Sequence, residues 1–541
     1  MAVQRKNLLL LFALFFLLLS GCTVGSYRLD EEKNPSNQRV GVNTEPVIGG
    51  ELLYQALALP EWNPLKWLEA TDQLNFAERL VYRGLFTYTA EGDWKGDLVD
   101  QFSLEENGEK KILHFTLKKD AKWQDGSPVT FADVQFTLET YLNPFFYGAW
   151  KQDLSYIDGT SLYRSGKTAH IGGIRQGKDG EILIDVTSPT SSFYHALTAP
   201  LLPAKSLSGK SPEEIQEMAQ KGKVMGTGPF KAVSIGAGEY RFERAFSYKE
   251  GGPYLDRIVI HPSQGSGKSE WAGIDLMEVP PSPDAKAPEG YKEMRIPARL
   301  YDYLGFNLQS PSLRPEVRTA ISLRMDREAM VNQALFGQGV PASGLLPPGY
   351  GGTDGSPTPD EKKAVAVMEA LGYSTDKPLT LTLTYPQDPP LMERLAEELR
   401  RELQTIHIQL NEKPMPKDQF YASLFSGEKM ELFLHSWPYV EDLGLWWKMF
   451  GREHDVENLG LNVYHYGDAE VSTLLQTIYR TAPFALSKEK VKEAAAKLEK
   501  AEFLLPLFTP VQKFWVNGAL HGVKIDGDGN FLQVETWWKE K

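Results

Sequence analysis

The chain is poorest in cysteine, with one in 541 residues. A single thiol excludes any intramolecular disulfide, so the fold rests on packing alone. Beyond residue 22 there is no second long apolar run, which excludes a channel or carrier built from several membrane-spanning helices. Cationic side chains are outnumbered, 58 Lys and Arg against 71 Asp and Glu, for a formal charge of -13. No lysine or arginine stripe relieves that excess, so nucleic acid is not an expected partner. The 9 histidines show no close metal-ligand spacing. His407 and His435 lie on or beside expected strands and His454 and His465 in loops, so no metal and no cofactor is expected; a nickel site would need clustering in space. A nucleophile signature is also missing, and acid pairs such as Asp275 with Glu278 or Glu441 with Asp442 read as solvated or ligand-contacting groups before they read as a glycosidase pair.

Two further patterns fail on inspection. Gly265-Ser266-Gly267-Lys268-Ser269 invites a phosphate loop, but the required first glycine is Pro262. Asp526-Gly527-Asp528-Gly529-Asn530 begins like a calcium loop, yet its sixth position is Phe531 and its twelfth Trp537. A hairpin turn between Val523 to Ile525 and Phe531 to Val534 accounts for it better.

What is present starts at the amino terminus. Arg5 and Lys6 precede an unbroken apolar run, Leu8 to Leu19, followed by Ser20-Gly21-Cys22. The run has the length of a signal-peptide core and falls short of the ~20 residues a spanning helix needs. Leu19-Ser20-Gly21-Cys22 resembles the lipobox of bacterial lipoproteins. The resemblance implies that residues 1–21 are a signal peptide and that the Cys22 thiol is acylated and becomes the first mature residue, a use for the lone cysteine. Loss of Arg5 and Lys6 would take the charge to -15. Residues 22–45 are polar, contain Asn34-Pro35-Ser36-Asn37 and lack apolar period, so they are expected to be a flexible tether.

The rest is too long for one core, and more than one lobe is expected. Short strands are expected at Ile112 to Leu117 and Ile182 to Val186, within mixed sheets with insertions. Leu379 to Tyr385 alternates apolar residues with threonine and predicts a strand. Leu391, Leu395, Leu399 and Leu403 then recur at every fourth position, predicting an amphipathic helix. Alternation resumes at Ile406, Ile408 and Leu410, a short helix around Phe420 and Leu424 follows, and Leu432-Phe433-Leu434 reads as a buried third strand. This order predicts a parallel sheet, whose ligands bind beyond the carboxyl ends of its strands, here at the expected loop His435 to Asp442. No internal repeat is present.

Four segments together resemble the family of extracytoplasmic solute-binding proteins, family 5, that serve oligopeptide, dipeptide and nickel transporters. They are Trp123-Gln124-Asp125-Gly126-Ser127-Pro128-Val129-Thr130 with Phe131-Ala132-Asp133-Val134; Gly226-Thr227-Gly228-Pro229-Phe230; Leu304 to Asn307 through Val317-Arg318-Thr319-Ala320-Ile321 to Asp326-Arg327-Glu328; and Trp437. Their residues also read as scaffold: Asp125-Gly126 as a tight turn, Thr130 with Asp133 and Asp326 as helix caps. The resemblance implies an α/β, two-lobed clamp like the periplasmic binding proteins, of the class with an extra inserted small domain, with mixed sheets flanked by helices. It places a discontinuous first lobe at 46–85, 200–299 and 511–541, an inserted domain at 86–199 and the other lobe at 300–510. The implied protein is no enzyme; it is a monomer, lipid-anchored on the extracytoplasmic face of a bacterial membrane, that captures an oligopeptide and delivers it to the permease subunits of an ATP-driven importer.

The resemblance also implies the cleft. Ala58, Leu59, Pro60 and Glu61 would form one edge, Trp437 and Tyr439 the other. Peptide binders of the family carry an aspartate three residues after the tryptophan to meet the ligand's amino terminus; Val440 stands there, with Glu441 and Asp442 next as candidate replacements. The aromatic group Trp437, Tyr439, Trp446 and Trp447 would also suit an oligosaccharide, though adjacent Trp446 and Trp447 cannot both face one cleft on a helix. The rivals are an oligosaccharide binder of the same fold, a peptide sensor without an importer, and a lipoprotein glycosidase or peptidase.

Overall fold

The computed structural model describes residues 45–540 apart from 70–72, 90–92, 108–109, 188, 237, 246–252, 264–272, 284, 347–354, 388, 439–443 and 459. Cys22 and its tether, the Gly265 to Ser269 segment, Tyr439, Val440, Glu441 and Asp442 therefore lie outside the described residues.

The predicted strand and helix order is present: Leu379–Pro386, helix Pro390–Gln404, Ile408–Met415, helix Lys417–Phe425 and Leu432–Pro438. The strand Leu379–Pro386 pairs in parallel with both of the others. Leu395, Leu399 and Leu403 are fully buried, which is why a helix so rich in Glu and Arg docks on that sheet. One expectation is corrected: the third strand does not end at Leu434. It runs on to Pro438 because Leu300–Phe306 pairs with it along its whole length, Leu300 opposite Pro438 and Phe306 opposite Leu432. His435 and Trp437 are strand residues, not loop residues.

The longest strand is Leu504–Asn517. Its first part pairs with Leu300–Phe306, and its second with Leu276–Val279 and Tyr291–Pro297. Leu276–Val279 in turn pairs in parallel with Glu51–Ala56, which pairs in parallel with Arg257–Pro262. One strand thus joins two half-sheets, and the change of partners falls between Phe508 and Val511. The cores divide at the same place. Leu52, Tyr54, Ile258 and Phe514 belong to one apolar cluster, whereas two others draw on residues 301–508. A separate antiparallel sheet of Val99–Asn107, Lys110–Leu117, Glu181–Thr187 and Ile174–Gln176 contributes Leu113, Phe115, Ile182 and Ile184 to the first cluster.

Several scaffold motifs have direct physical causes. The Asp133 carboxylate accepts from the Thr130 main-chain N–H (2.8 Å) and hydroxyl (2.9 Å), capping helix Phe131–Leu142, and also from the Ala204 N–H at 2.9 Å. Asp326 caps helix Arg327–Ala334 through the Ala329 N–H. At Gly226 an added Cβ would lie 1.9 Å from the Val81 carbonyl oxygen, and at Gly228 2.4 Å from that of Leu80. The glycines of Gly226-Thr227-Gly228 therefore let two main chains touch. At Asp526 the carboxylate accepts the N–H groups of Asp528 and Asn530, closing a turn in which Ile525 pairs with Phe531.

Candidate functional site

The first candidate edge follows the strand Glu51–Ala56, where the chain turns out at the carboxyl end of a parallel pair. Distant groups pin this loop. The Leu57 N–H donates to the Glu278 carboxylate (3.0 Å), the Tyr240 hydroxyl to the Pro60 carbonyl (2.6 Å), the Asn75 amide to the Glu61 carbonyl (2.8 Å) and the Trp62 indole N–H to the Ala219 carbonyl (2.9 Å). Burial pushes the Glu278 carboxyl above its ordinary range, with the Leu57 N–H and Tyr54 hydroxyl opposing. Between these pins Ala58 is exposed and Leu59 half-buried, and among the described residues neither has a partner for its main-chain N–H or C=O. A loop held at both ends with its central peptide groups unpaired is a preformed main-chain edge.

The second edge is the carboxyl end of Leu432–Pro438. On one side this strand is fully paired; on the other, its ladder to Leu379–Pro386 covers only Leu432 and Phe433. Among the described residues, 434–438 therefore have a strand on one side only. Trp437 lies opposite Tyr301 and packs 5.5 Å from the His435 ring, and its buried indole N–H has no partner among the described residues. Trp446 is 5% exposed and belongs to the core. Trp447 is half-buried against Tyr479 (4.8 Å) and His454 (4.3 Å, perpendicular). No hydrogen bond or ring contact among the described residues joins residues 58–61 to Trp437.

Two titratable groups lie beside this edge: His435, which falls at the start of the expected ligand loop, and Asp302, which is not among the expected site residues. Asp302 is 1% exposed, accepts a short hydrogen bond from the Ser436 hydroxyl, and leaves its Oδ2 unpaired. Burial raises it to about 7, against the Ser436 bond. His435, on the other face, stacks on Tyr303 (5.6 Å, 20°) and meets Tyr421 edge-on. Burial lowers it to about 4, so it is neutral at pH 7. The sequence held one signal for Asp302, a single acid in the otherwise apolar strand Leu300–Phe306. Among the described residues no group of three His, Cys, Asp or Glu is placed to hold a metal ion. A cavity of about 610 Å³ lined by Arg79, Arg83, Lys95 and Phe531 includes no residue from 300 to 510, so it lies apart from these edges.

Comparison with known proteins fits this architecture. The family model for "Bacterial extracellular solute-binding proteins, family 5 Middle" matches residues 89–443. The chain belongs to that family. An oligopeptide-binding protein of Bacillus subtilis, AppA, is 24% identical over 99% of this chain and 100% of its own length. The solved structure of AppA with a nonapeptide superposes with a TM-score of 0.68 at 20% identity, over 92% of this chain and 100% of that one. NikZ of Campylobacter jejuni, solved with a nickel–histidine complex, reaches 0.67 at 20% identity over 91% and 99%. These structures share the two-lobed fold of the periplasmic binding proteins. Among the described residues no helix is long and apolar enough to cross a membrane.

Proposed function

We propose that this protein is the lipid-anchored capture component of an ATP-driven importer, and that it holds an oligopeptide between its two lobes. The observation that carries the reading is the pair of open main-chain edges, Ala58 with Leu59 and residues 434–438. An extended peptide satisfies such edges through its own N–H and C=O groups, which gives affinity with little dependence on side chains. AppA, matched along its entire length and bearing the name of an oligopeptide binder, supports the same ligand class. The aromatic argument for a sugar is weaker here, since Trp446 serves the core and the Trp437 indole N–H is buried. The hinge falls where the chain passes between half-sheets, at 297–300 and 508–511. The lobes are 46–85 with 200–299 and 511–541, and 300–510, with 86–199 as the inserted domain.

Calorimetry with a peptide and its amino-terminally acetylated form tests the ligand class. A peptide site predicts that acetylation weakens binding to the wild type and that Asp442→Asn or Glu441→Gln removes most of that difference. The expected loss is ~2 to 5 kcal/mol for breaking a desolvated charge pair. Equal binding of both peptides would rule out an ammonium partner; a sugar that binds where neither peptide does would overturn the ligand class.

A further inference from the structure

Part of the contact between residues 300–510 and residues 86–199 is made by a short segment that no feature of the proposed ligand site requires. After helix Ala469–Tyr479 the chain makes the turn Pro483–Ala485. Phe484 at its centre is surrounded by three rings of the inserted domain: Trp94 at 5.3 Å, Phe102 at 5.4 Å and Tyr194 at 5.6 Å. The rings of that socket also pack on one another. Trp94 stacks on Phe86 at 3.9 Å and 14°, and Phe102 meets both rings edge-on. Phe484 is nonetheless 38% exposed, an apolar ring held at a rim and not in a core.

The neighbours of Phe484 cross the same boundary. Ala482, 3% exposed, packs in the apolar cluster of the opposite lobe and inserted domain, away from the clusters formed by residues 301–508. Tyr156 hydrogen-bonds through its side chain to Tyr479. Lys448 lies over the Tyr479 ring at 5.5 Å and 3.8 Å from the Asp153 carboxylate. These contacts sit far along the chain from the passages at 297–300 and 508–511, so they can separate while the joining strand stays intact.

We propose that the segment Tyr479 to Phe484 is a releasable latch, with Phe484 as bolt and the Trp94, Phe102 and Tyr194 rings as socket, that holds the lobe of residues 300–510 against the inserted domain. The inserted domain thereby sets how much of the protein is closed, whatever the ligand. A mobile lobe needs a contact that is specific yet small enough to undo. Aromatic edge contacts at a wet rim meet both needs, since they are directional and each contributes modestly. The inference rests on the two-lobe closure proposed above, but not on the identity of the ligand.

The test uses ligand-free protein carrying Cys22→Ala, compared with the same protein bearing Phe484→Ala or Phe484→Leu. Small-angle scattering should show a larger radius of gyration for Phe484→Ala, with Phe484→Leu between the two. Amide exchange in Ser191–Ala196 and Pro483–Ala485 should rise about tenfold, the loss expected from one or two ring pairs, while exchange in Leu379–Pro386 stays unchanged. Equal radius and equal exchange in all three proteins would overturn the latch. So would faster exchange everywhere at unchanged radius, which would make Phe484 an ordinary stability residue. Because no ligand is added, failure of the peptide reading in calorimetry would leave this outcome intact.

Discussion

At the scale of the residue, Asp302 and His435 show what burial does to a titratable group: desolvation is the largest influence on each, and the Ser436 hydrogen bond only partly opposes it. They occupy adjacent cross-strand positions, Asp302 opposite Ser436 and Tyr303 opposite His435, and both lie in dry surroundings. Their contributions to stability run in opposite directions with pH. Asp302, raised from 3.8 to about 7, binds its proton more tightly when folded, so its contribution is full below pH 3.8 and is lost as pH rises to 7. His435, lowered from 6.5 to about 4, is proton-poor when folded; its contribution is full above pH 6.5 and is lost as pH falls to 4. Asp302→Asn keeps the acceptor for Ser436 and abolishes the first effect. Urea unfolding should show the variant gaining on wild type as pH rises from 4 to 7, by roughly 2 to 4 kcal/mol, with no further gain above. A difference that stays constant across that range would mean that Asp302 ionises without penalty.

At the scale of the element, the informative cases are those where main chains approach each other. Gly226 and Gly126 both belong to segments with motif-like spacing, but the structure separates their roles. Gly126 needs a left-handed backbone, φ +88°, and nothing lies within 4 Å of an added Cβ. Gly226 has a Cβ position already filled by the Val81 carbonyl. Gly126→Ala should therefore cost about 1 kcal/mol, the conformational penalty alone. Gly226→Ala must move the segment holding Val81 and should cost more than about 3 kcal/mol. Chemical unfolding of both variants gives the comparison; equal costs would refute the close-approach account. The strand Leu432–Pro438 carries a related lesson. Its apolar run stops at Leu434, yet pairing continues for four residues because the partner strand continues.

At the scale of the whole molecule, one strand, Leu504–Asn517, is shared by two half-sheets, and in the closure proposed above it would serve as the joint. The contacts around Phe484 lie elsewhere on the molecule, so opening at the joint would test them first. Attachment to a membrane belongs to this scale too, and is proposed from the sequence alone. Cys22→Ala should shift the protein from the membrane fraction to the soluble or secreted one. Retention on membranes after a high-salt wash would show that something other than Cys22 holds it.

The sequence by itself determined what depends on near neighbours. The alternation in Leu379 to Tyr385, the four-residue spacing of Leu391 to Leu403 and the caps at Asp133 and Asp326 each involve residues within a few positions, and each appears as expected. The resemblance carried by four such local segments likewise pointed to the family and its two-lobed fold. Tertiary structure decided the rest, because the deciding partners are remote in sequence. The Leu57 N–H meets Glu278, 221 residues away, and the Tyr240 hydroxyl meets Pro60, 180 residues away. Whether Ala58 and Leu59 are left unpaired, whether Asp302 is dry and whether Phe484 finds a socket depend on which distant strands pair and where their ladders stop. Periodicity reports the face a side chain takes on its own strand, but not the length of the neighbour that pairs with it.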